Sequence, residues 1–462
     1  MEFFLAYISM FIHIYHRMKR NIEKTLIEWI QNNNRKPLLL NGARQVGKTF
    51  ILKEFGKKLF KNIHYFDLEE QKSVLKPVFS EGPLNPKSII DKLSFISGNL
   101  IDINTDLLIL DEIQSIPRAI TSLKYFNQDM GRLAVTAAGS NLGIAHAEEA
   151  FPVGKIDSLF LYPMNFEEFL IGINENRAAE FLSTFKGGKT DDIYHTRLFE
   201  LLKVYFITGG LPEVILEYKK EQDNPLTAFR NIRRLQDTLL LHYRNDFGKY
   251  SGNTNSRHIE RILNSVPSQL SKVQDSTTRK YTFKDVVSKG YRSYEDLADP
   301  IDWLVKAGLV IRCDITEHPT IPIYGNTLEN SFKLFLFDIG ILGAMVKLPP
   351  ERIMQYNYGT YKGYFAENFI LQEMISYGFK DVAAWRGRTS EIEFIFQLGD
   401  QLLPVEVKAG TNTKAKSLLT YINKYQPERS FKFTGNKFGV DRINNIYNYP
   451  LYMVSQFPPR DM

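Results

Sequence analysis

The sequence predicts an α/β chain in which a parallel-sheet domain comes first, a helical middle follows and a second α/β domain closes the chain. Three observations predict it. A strand-length apolar run, Pro37 to Leu40, passes at once into a glycine loop and then into a helical pattern with Ile51, Leu52 and Phe55 on one face. A second apolar run, Asp106 to Glu112, holds four apolar residues in a row, which marks a strand buried on both faces. Toward the C-terminus a helical pattern, Tyr361 to Met374, precedes strand patterns at Val382–Trp385, Ile392–Phe396 and Leu403–Lys408.

The glycine loop reads Gly42-Ala43-Arg44-Gln45-Val46-Gly47-Lys48-Thr49, a phosphate-binding loop in its context of strand, loop and helix. Gly42 and Gly47 allow backbone conformations closed to other residues, so successive N–H groups converge on phosphate oxygens. The helix that follows points its positive end at the same anion. Lys48 supplies a charge to the β- and γ-phosphates and Thr49 a hydroxyl to Mg²⁺, so ATP and Mg²⁺ are the expected cofactors. The other half of such a site lies at the C-terminal end of the acidic strand, where open α/β sheets place ligands. Asp111 is the expected indirect ligand of Mg²⁺, and Glu112 the base that polarises the attacking water.

Before the loop, Arg20 to Gln31 reads as an amphipathic helix through Ile22, Leu26, Trp29 and Ile30; after it, Asn62 to Leu68 reads as a strand. Leu133 to Ala138 is a further strand ending in Gly139-Ser140-Asn141. Asn141 there would hold the water against the γ-phosphate, the other reading being a plain glycine turn.

These segments resemble the AAA+-type P-loop ATPases that carry an extra strand between the phosphate loop and the acidic strand. More narrowly, the chain is similar to bacterial and archaeal ATPases that join such a domain to a C-terminal nuclease-like domain of uncharacterised role. The resemblance rests on GARQVGKT, LILDEIQ, AAGSN, VGKIDSLFLYPMNFEEFL (Val153 to Leu170) and ITGGLPEVI (Ile207 to Ile215), and it extends from Met18 onward. In this group an arginine usually follows the glycine of the fourth segment. Lys155 stands here instead, which keeps the charge and loses the bidentate fork.

A chain of 462 residues is too long for one core and implies about three domains. The expected division is a leader at 1–17, a P-loop ATPase domain at 18–195, a helical and winged-helix middle at 196–325 and an α/β domain at 326–462. With 44% hydrophobic and 24% charged residues the composition is that of an ordinary globular protein. The net charge of +6 is mild; it permits contact with DNA or RNA without arguing for it. The single cysteine, Cys313, excludes an internal disulfide framework and cysteine-cluster metal sites, which suits a reducing cytoplasm. Phe3 to Tyr15 is an apolar run shorter than the roughly 20 residues that span a bilayer. It also lacks the basic start and cleavage site of a signal peptide. No membrane attachment is expected; Met18 is read as the natural start, with a packed or membrane-touching helix as the alternative.

In the middle, Leu198–Phe206 and Leu226–Phe247 are helical in pattern. The second carries Arg230, Arg233, Arg234 and Arg244, which a solvated helix face accounts for. The sharper reading is that one of them reaches the γ-phosphate of a neighbouring subunit in a homo-oligomer. From Arg257 to Cys313 the order is helix, basic turn, helix, glycine and apolar strand, a winged-helix pattern. Its last helix offers Lys306 but also Glu295, Asp296, Asp299 and Asp302, acids that a duplex would repel, so a linking role or a protein partner is favoured over DNA.

In the last domain Glu367 lies on the helix, Glu393 on a strand, and Glu406 and Lys408 two apart on one face of the next strand. This order matches the PD-(D/E)XK nuclease-like pattern and its restriction-endonuclease-like fold. Two or three carboxylates, Glu393 and Glu406 among them, hold Mg²⁺ against a phosphodiester while the lysine orients the attacking water. Arg386 and Arg388 would contact phosphate. The pattern usually has Asp where Glu393 stands, one methylene longer here, and Glu391 lies on the same face. Two functions follow: an ATPase coupled to a nuclease-like domain acting on nucleic acid, or a nucleotide-dependent switch whose nuclease-like domain only binds.

Overall fold

The computed structural model describes residues 18–80, 82–140, 151–271, 281, 294–410 and 415–458. The leader, Asn141 and the basic turn before Tyr294 lie outside the described residues. The chain forms two units, residues 19–162 with 306–308, and residues 163–305 and 309–462 with Met18.

The first unit is a five-stranded, wholly parallel α/β sheet in the order β2-β3-β4-β1-β5. Its strands are β1 (Leu38–Asn41), β2 (Ile63–Asp67), β3 (Leu107–Asp111), β4 (Ala134–Ala138) and β5 (Asp157–Phe160). β4 is inserted between β1 and β3, with Leu38 opposite Thr136 and Leu107 opposite Ala134. Every residue of β3 and β4 is buried, as unbroken apolar runs require in a sheet covered on both faces. Helix α1 (Ile22–Gln31) buries Leu26 and Trp29, the latter donating its indole N–H to the Lys36 carbonyl at 2.9 Å. Helix α2 (Lys48–Leu59) buries Ile51, Leu52 and Phe55, as their spacing implies. Sequence reading did not mark α3 (Lys72–Ser80), α4 (Pro86–Ser97, capped by Asn85) or β5. With α5 (Pro117–Asp129) these two helices fill the core over Leu39, Leu108, Leu110 and Val135.

The second unit begins with α6 (Phe166–Gly172), whose Asn165 and Glu168 form a reciprocal capping box. Then come α7 (Asn176–Thr184), α8 (Asp192–Thr208), α9 (Pro212–Lys220) and the helical run α10 (Pro225–Ser271). A straight helix would hold Arg244 and Asn264 about 30 Å apart. Arg244 nevertheless donates to Asn264 at 3.1 Å, so the run doubles back between them. Gly209 and Gly210 of the ITGGLPEVI segment are dictated by close approach. A Cβ on Gly209, whose φ is +70°, would lie 2.1 Å from a carboxylate oxygen of Asp338, and one on Gly210 would lie 2.1 Å from the Met164 carbonyl. Asp338 uses that proximity to accept the N–H of Gly210 at 2.7 Å.

Helix α11 (Ala298–Lys306) ends before Gly308 and runs into β6 (Val310–Thr316), the order expected of a third helix and wing. Lys306, Asp299 and Asp302 are all exposed on it. β6 and β7 (Thr327–Leu336) are antiparallel neighbours, and β6 also pairs in parallel with β8 (Val382–Arg386). Both therefore belong to a mixed eight-stranded sheet in the order β12-β13-β11-β10-β9-β8-β6-β7. Its other strands are β9 (Glu391–Leu398), β10 (Gln401–Val407), β11 (Ser430–Thr434), β12 (Gly439–Asp441) and β13 (Ile446–Pro450). The expected boundary after residue 325 falls in the short turn Ile323–Asn326 that links β6 to β7. Local pattern marks the strands but not their long-range partners. Helices α12 (Ile339–Met345), α13 (Pro350–Met354), α14 (Tyr361–Ser376) and α15 (Lys416–Tyr425) complete the unit.

The arginines of α10 divide. Arg230, Arg234 and Arg244 are exposed as a solvated face predicts, but Arg233 is not. Its guanidinium donates to Gln236 at 2.7 Å and to the carbonyls of Gly340 at 3.1 Å and Leu348 at 3.2 Å, and burial lowers its pKa to about 10. Helix periodicity could not reveal this, because the covering carbonyls lie more than 100 residues onward. Three of its five N–H groups are thus committed within the unit.

Candidate nucleotide site and C-terminal carboxylate cluster

In the first unit β1 delivers the chain to Gly42, and the loop turns through left-handed conformations at Gln45 (φ 66°) and Gly47 (φ 95°) before α2 starts at Lys48. Gly42 is obligatory, since a Cβ there would sit 2.4 Å from the Leu161 carbonyl. Arg20, which sequence reading passed over, braces the loop by donating to the carbonyls of Val46 at 3.0 Å and Tyr162 at 2.7 Å. Lys48 is buried; its ammonium donates to the carbonyls of Gly42 at 2.9 Å and Ala43 at 2.8 Å. Burial lowers its pKa to about 8, against the pull of Glu112 and Asp111.

The acidic strand meets the loop as its position predicts. Thr49 donates its hydroxyl to Asp111 Oδ2 at 2.6 Å. The same oxygen accepts from the Tyr65 hydroxyl at 3.0 Å, and Lys53 lies 3.3 Å from the centre of that tyrosine ring. Glu112 stands one residue past β3 with φ 45°, its N–H on Asp111 Oδ1 at 3.0 Å. Its carboxylate accepts from Gln114 at 2.5 Å and from the Ser140 hydroxyl at 3.4 Å, and burial raises its pKa. Arg44 donates to the Ser140 hydroxyl at 3.3 Å, so the ends of β3 and β4 and the loop are joined through Ser140. Asn141, the next residue, lies outside the described residues. The donor set suits a magnesium-bound triphosphate: a buried ammonium held only by neutral carbonyls, and a hydroxyl and carboxylate facing one another. Lys155 sits half-buried in the turn before β5.

In the second unit the C-terminal acids come together around two lysines. Lys408, just past β10, places its ammonium 3.1 Å from Glu393 on β9 and 3.2 Å from Glu406 on β10. Glu393 also accepts the Val407 N–H at 3.2 Å. Glu367 on α14 faces Lys333 of β7 at 3.9 Å, a buried lysine that sequence reading missed. Its only signal is one basic residue inside the apolar run SFKLFLF. Although burial opposes it, the pKa of Lys333 is raised by Glu367, Glu391 and Glu393. Burial likewise works against the Lys408 ammonium, yet Glu393 and Glu406 hold its pKa well above the usual lysine value. Burial pushes Glu406 up to about 7, with Glu393 adding to the effect and Lys408 opposing it. Arg386 is engaged by Glu317, and Arg388 is exposed.

Glu406 Oε2 and Glu391 Oε2 are buried without a hydrogen-bond partner in the structure, so two oxygens of the cluster are open to a cation. Among the described residues no three His, Cys, Asp or Glu side chains converge as a ready metal cage.

A raised carboxylate pKa has a definite sign for stability. Glu406 favours folding while it is protonated, fully below its unfolded value near 4.3, and this contribution is lost as pH rises through about 7. The wild-type urea midpoint is therefore expected to fall between about pH 5 and pH 7.5, and Glu406→Gln to flatten that fall. Denaturation at several pH values checks it; equal slopes in both proteins would remove Glu406 as the source.

Residues 34–170 match the family model described as AAA domain. Two domains of unknown function, DUF8612 and DUF4143, match residues 199–352 and 362–452. No curated protein matches. Among solved structures, the RuvB Holliday junction branch migration motor of Thermotoga maritima is 14% identical at a TM-score of 0.31, covering 63% of this chain and 88% of its own. Drosophila ORC bound to DNA is 14% identical at a TM-score of 0.29, over 73% and 95%. PCH-2 of C. elegans is 14% identical at 0.27, over 50% and 68%. Among the described residues no helix is long and apolar enough to cross a membrane. What the first unit carries is an AAA-type domain: a family match over 34–170 and, within it, a phosphate-binding loop bonded through Thr49 to its acidic strand.

Proposed function

We propose that the protein is an AAA+-type ATPase whose C-terminal domain is nuclease-like and acts on nucleic acid with Mg²⁺. The observation that carries the first half is the 2.6 Å bond from Thr49 to Asp111, beside a buried Lys48. The backbone of Gly42, Ala43, Arg44, Gln45, Val46 and Gly47 would hold the phosphates of ATP, with Lys48 on the terminal ones. Thr49 and Asp111 would hold Mg²⁺, which when bound neutralises charge on the phosphates. Glu112 takes the role of base for water, with Asn141 assigned beside it from the sequence. For the second half, Lys408 between Glu393 and Glu406, with Glu367 near, supports the nuclease-like reading. Glu393 and Glu406 would be the metal ligands there, and Lys408 orients water. The protein is read as cytoplasmic, acting as a homo-oligomer or with a protein partner.

The second reading, a nucleotide-dependent switch with a binding-only C-terminal domain, is favoured by one observation. Both lysines of the cluster are already ion-paired to its carboxylates. Incubation with single- and double-stranded DNA and RNA plus Mg²⁺ or Mn²⁺ separates the two. Cleavage by wild type that falls about 100-fold or more in Lys408→Ala is expected of the nuclease. An ATPase-active protein that cuts none of the four substrates leaves the switch.

A further inference from the structure

In the second unit a cavity of about 370 Å³ opens beyond the carboxyl ends of the parallel strands β10 and β11. Its floor is backbone, from Ala409, Gly410 and Gly435. The floor is fixed, because the Gly435 N–H donates to the Gly410 carbonyl at 3.2 Å and the Tyr356 hydroxyl to the Ala409 carbonyl at 2.6 Å. Two aromatic walls meet over it: Phe199 and Tyr356 stand edge to face with centroids 5.1 Å apart. Lys362 contributes an ammonium 4.8 Å from the centre of the Tyr356 ring. Among the described residues it has no carboxylate partner. The one acid of the lining, Glu200, is paired with Lys203 at 2.6 Å. His195 is held by the Tyr452 hydroxyl at 2.8 Å.

The chemistry of the lining selects its ligand. An aromatic face accepts any base by stacking, an ammonium with no carboxylate partner takes a phosphate, and fixed backbone groups meet the edge of a base. The volume lies toward the small end of ligand pockets, about 300–1,000 Å³, which admits one nucleotide and excludes a duplex. Ala409 directly follows Lys408, so a strand whose phosphodiester meets the carboxylate–lysine cluster has a neighbouring nucleotide within reach of the cavity. We propose that this cavity is a subsite for one unpaired nucleotide of a single-stranded nucleic acid, its base stacked on Phe199 against the edge of Tyr356 and its phosphate on Lys362. The proposal rests on the reading of the C-terminal cluster as a site for phosphodiesters.

The test is fluorescence anisotropy of the full chain, without divalent metal, using a labelled twelve-nucleotide single strand and its blunt duplex. Phe199→Ala and Lys362→Ala are each expected to raise the single-strand Kd about 5- to 100-fold and to leave the duplex Kd within about twofold. Phe199→Tyr is expected to stay near wild type. Lys362→Ala trims a half-buried side chain rather than an aromatic wall and keeps the test open if Phe199→Ala fails to fold. A wild type with no preference for the single strand, or variants that bind it as wild type does, would overturn the subsite. If the variants weaken binding while no substrate is cut with Mg²⁺ or Mn²⁺, the nuclease reading falls and the subsite stands.

Discussion

Lys48→Ala is expected to reduce ATP hydrolysis to background, and Glu112→Gln to lower it by about 10²- to 10⁴-fold while ATP still binds. The two effects have different origins. Lys48 is the buried ammonium that donates to the Gly42 and Ala43 carbonyls, and its removal takes away the charge that would neutralise the phosphates there. Glu112 is held by Gln114 and Ser140 at the end of the acidic strand, and its loss removes a proton acceptor without emptying the loop. Turnover and equilibrium ATP binding, measured on the same preparations with and without DNA or RNA, separate them. Hydrolysis that survives Lys48→Ala would remove the glycine loop as the site. Turnover that rises with nucleic acid would join the AAA-type domain to the C-terminal reading.

Lys333→Ala is expected to destabilise the second unit by about 3–5 kcal/mol, the usual result of stripping the partner from a buried charge. Lys333 is buried on β7, and its ammonium faces Glu367, whose pKa burial raises even with that lysine present. The carboxylate left behind stays desolvated, now without the attraction of the ammonium that offset part of that cost. Glu367→Gln combined with Lys333→Ala removes both charges, leaves the same gap at residue 333 and is expected to recover most of the loss. Urea unfolding of the two singles and the double checks this. A double mutant no more stable than Lys333→Ala would show that packing, rather than the unpaired charge, sets the cost.

What sequence revealed was local. The glycine loop, the buried acidic strand and the Glu406–Lys408 pair are each defined by residues a few positions apart, and the structure brings loop to strand through Thr49 and Asp111 as that spacing implies. β4 beside the acidic strand was also readable, since its apolar run has the length and burial of an internal strand. What stayed hidden depended on distant partners. Lys333 is an ordinary lysine until α14 carries Glu367 against it, and Arg233 is an ordinary helix arginine until the carbonyls of Gly340 and Leu348 cover it. Arg20 likewise acts through carbonyls, which carry no side-chain signature in a sequence.

The pairing of β6 with β8 has a consequence for how the chain is made and how it can be divided. A polypeptide begun at residue 326 would keep β7 but lose β6, the strand that separates it from β8. β8 would then offer a row of unsatisfied N–H and C=O groups, a template on which other chains add and aggregate. During synthesis the same geometry imposes a delay. β6 and β7 leave the ribosome before β8, and at translation speeds of about 5–20 residues per second they wait several seconds for it. In that interval their hydrogen-bonding edge is open, and a chaperone able to cover a nascent strand has its opportunity there.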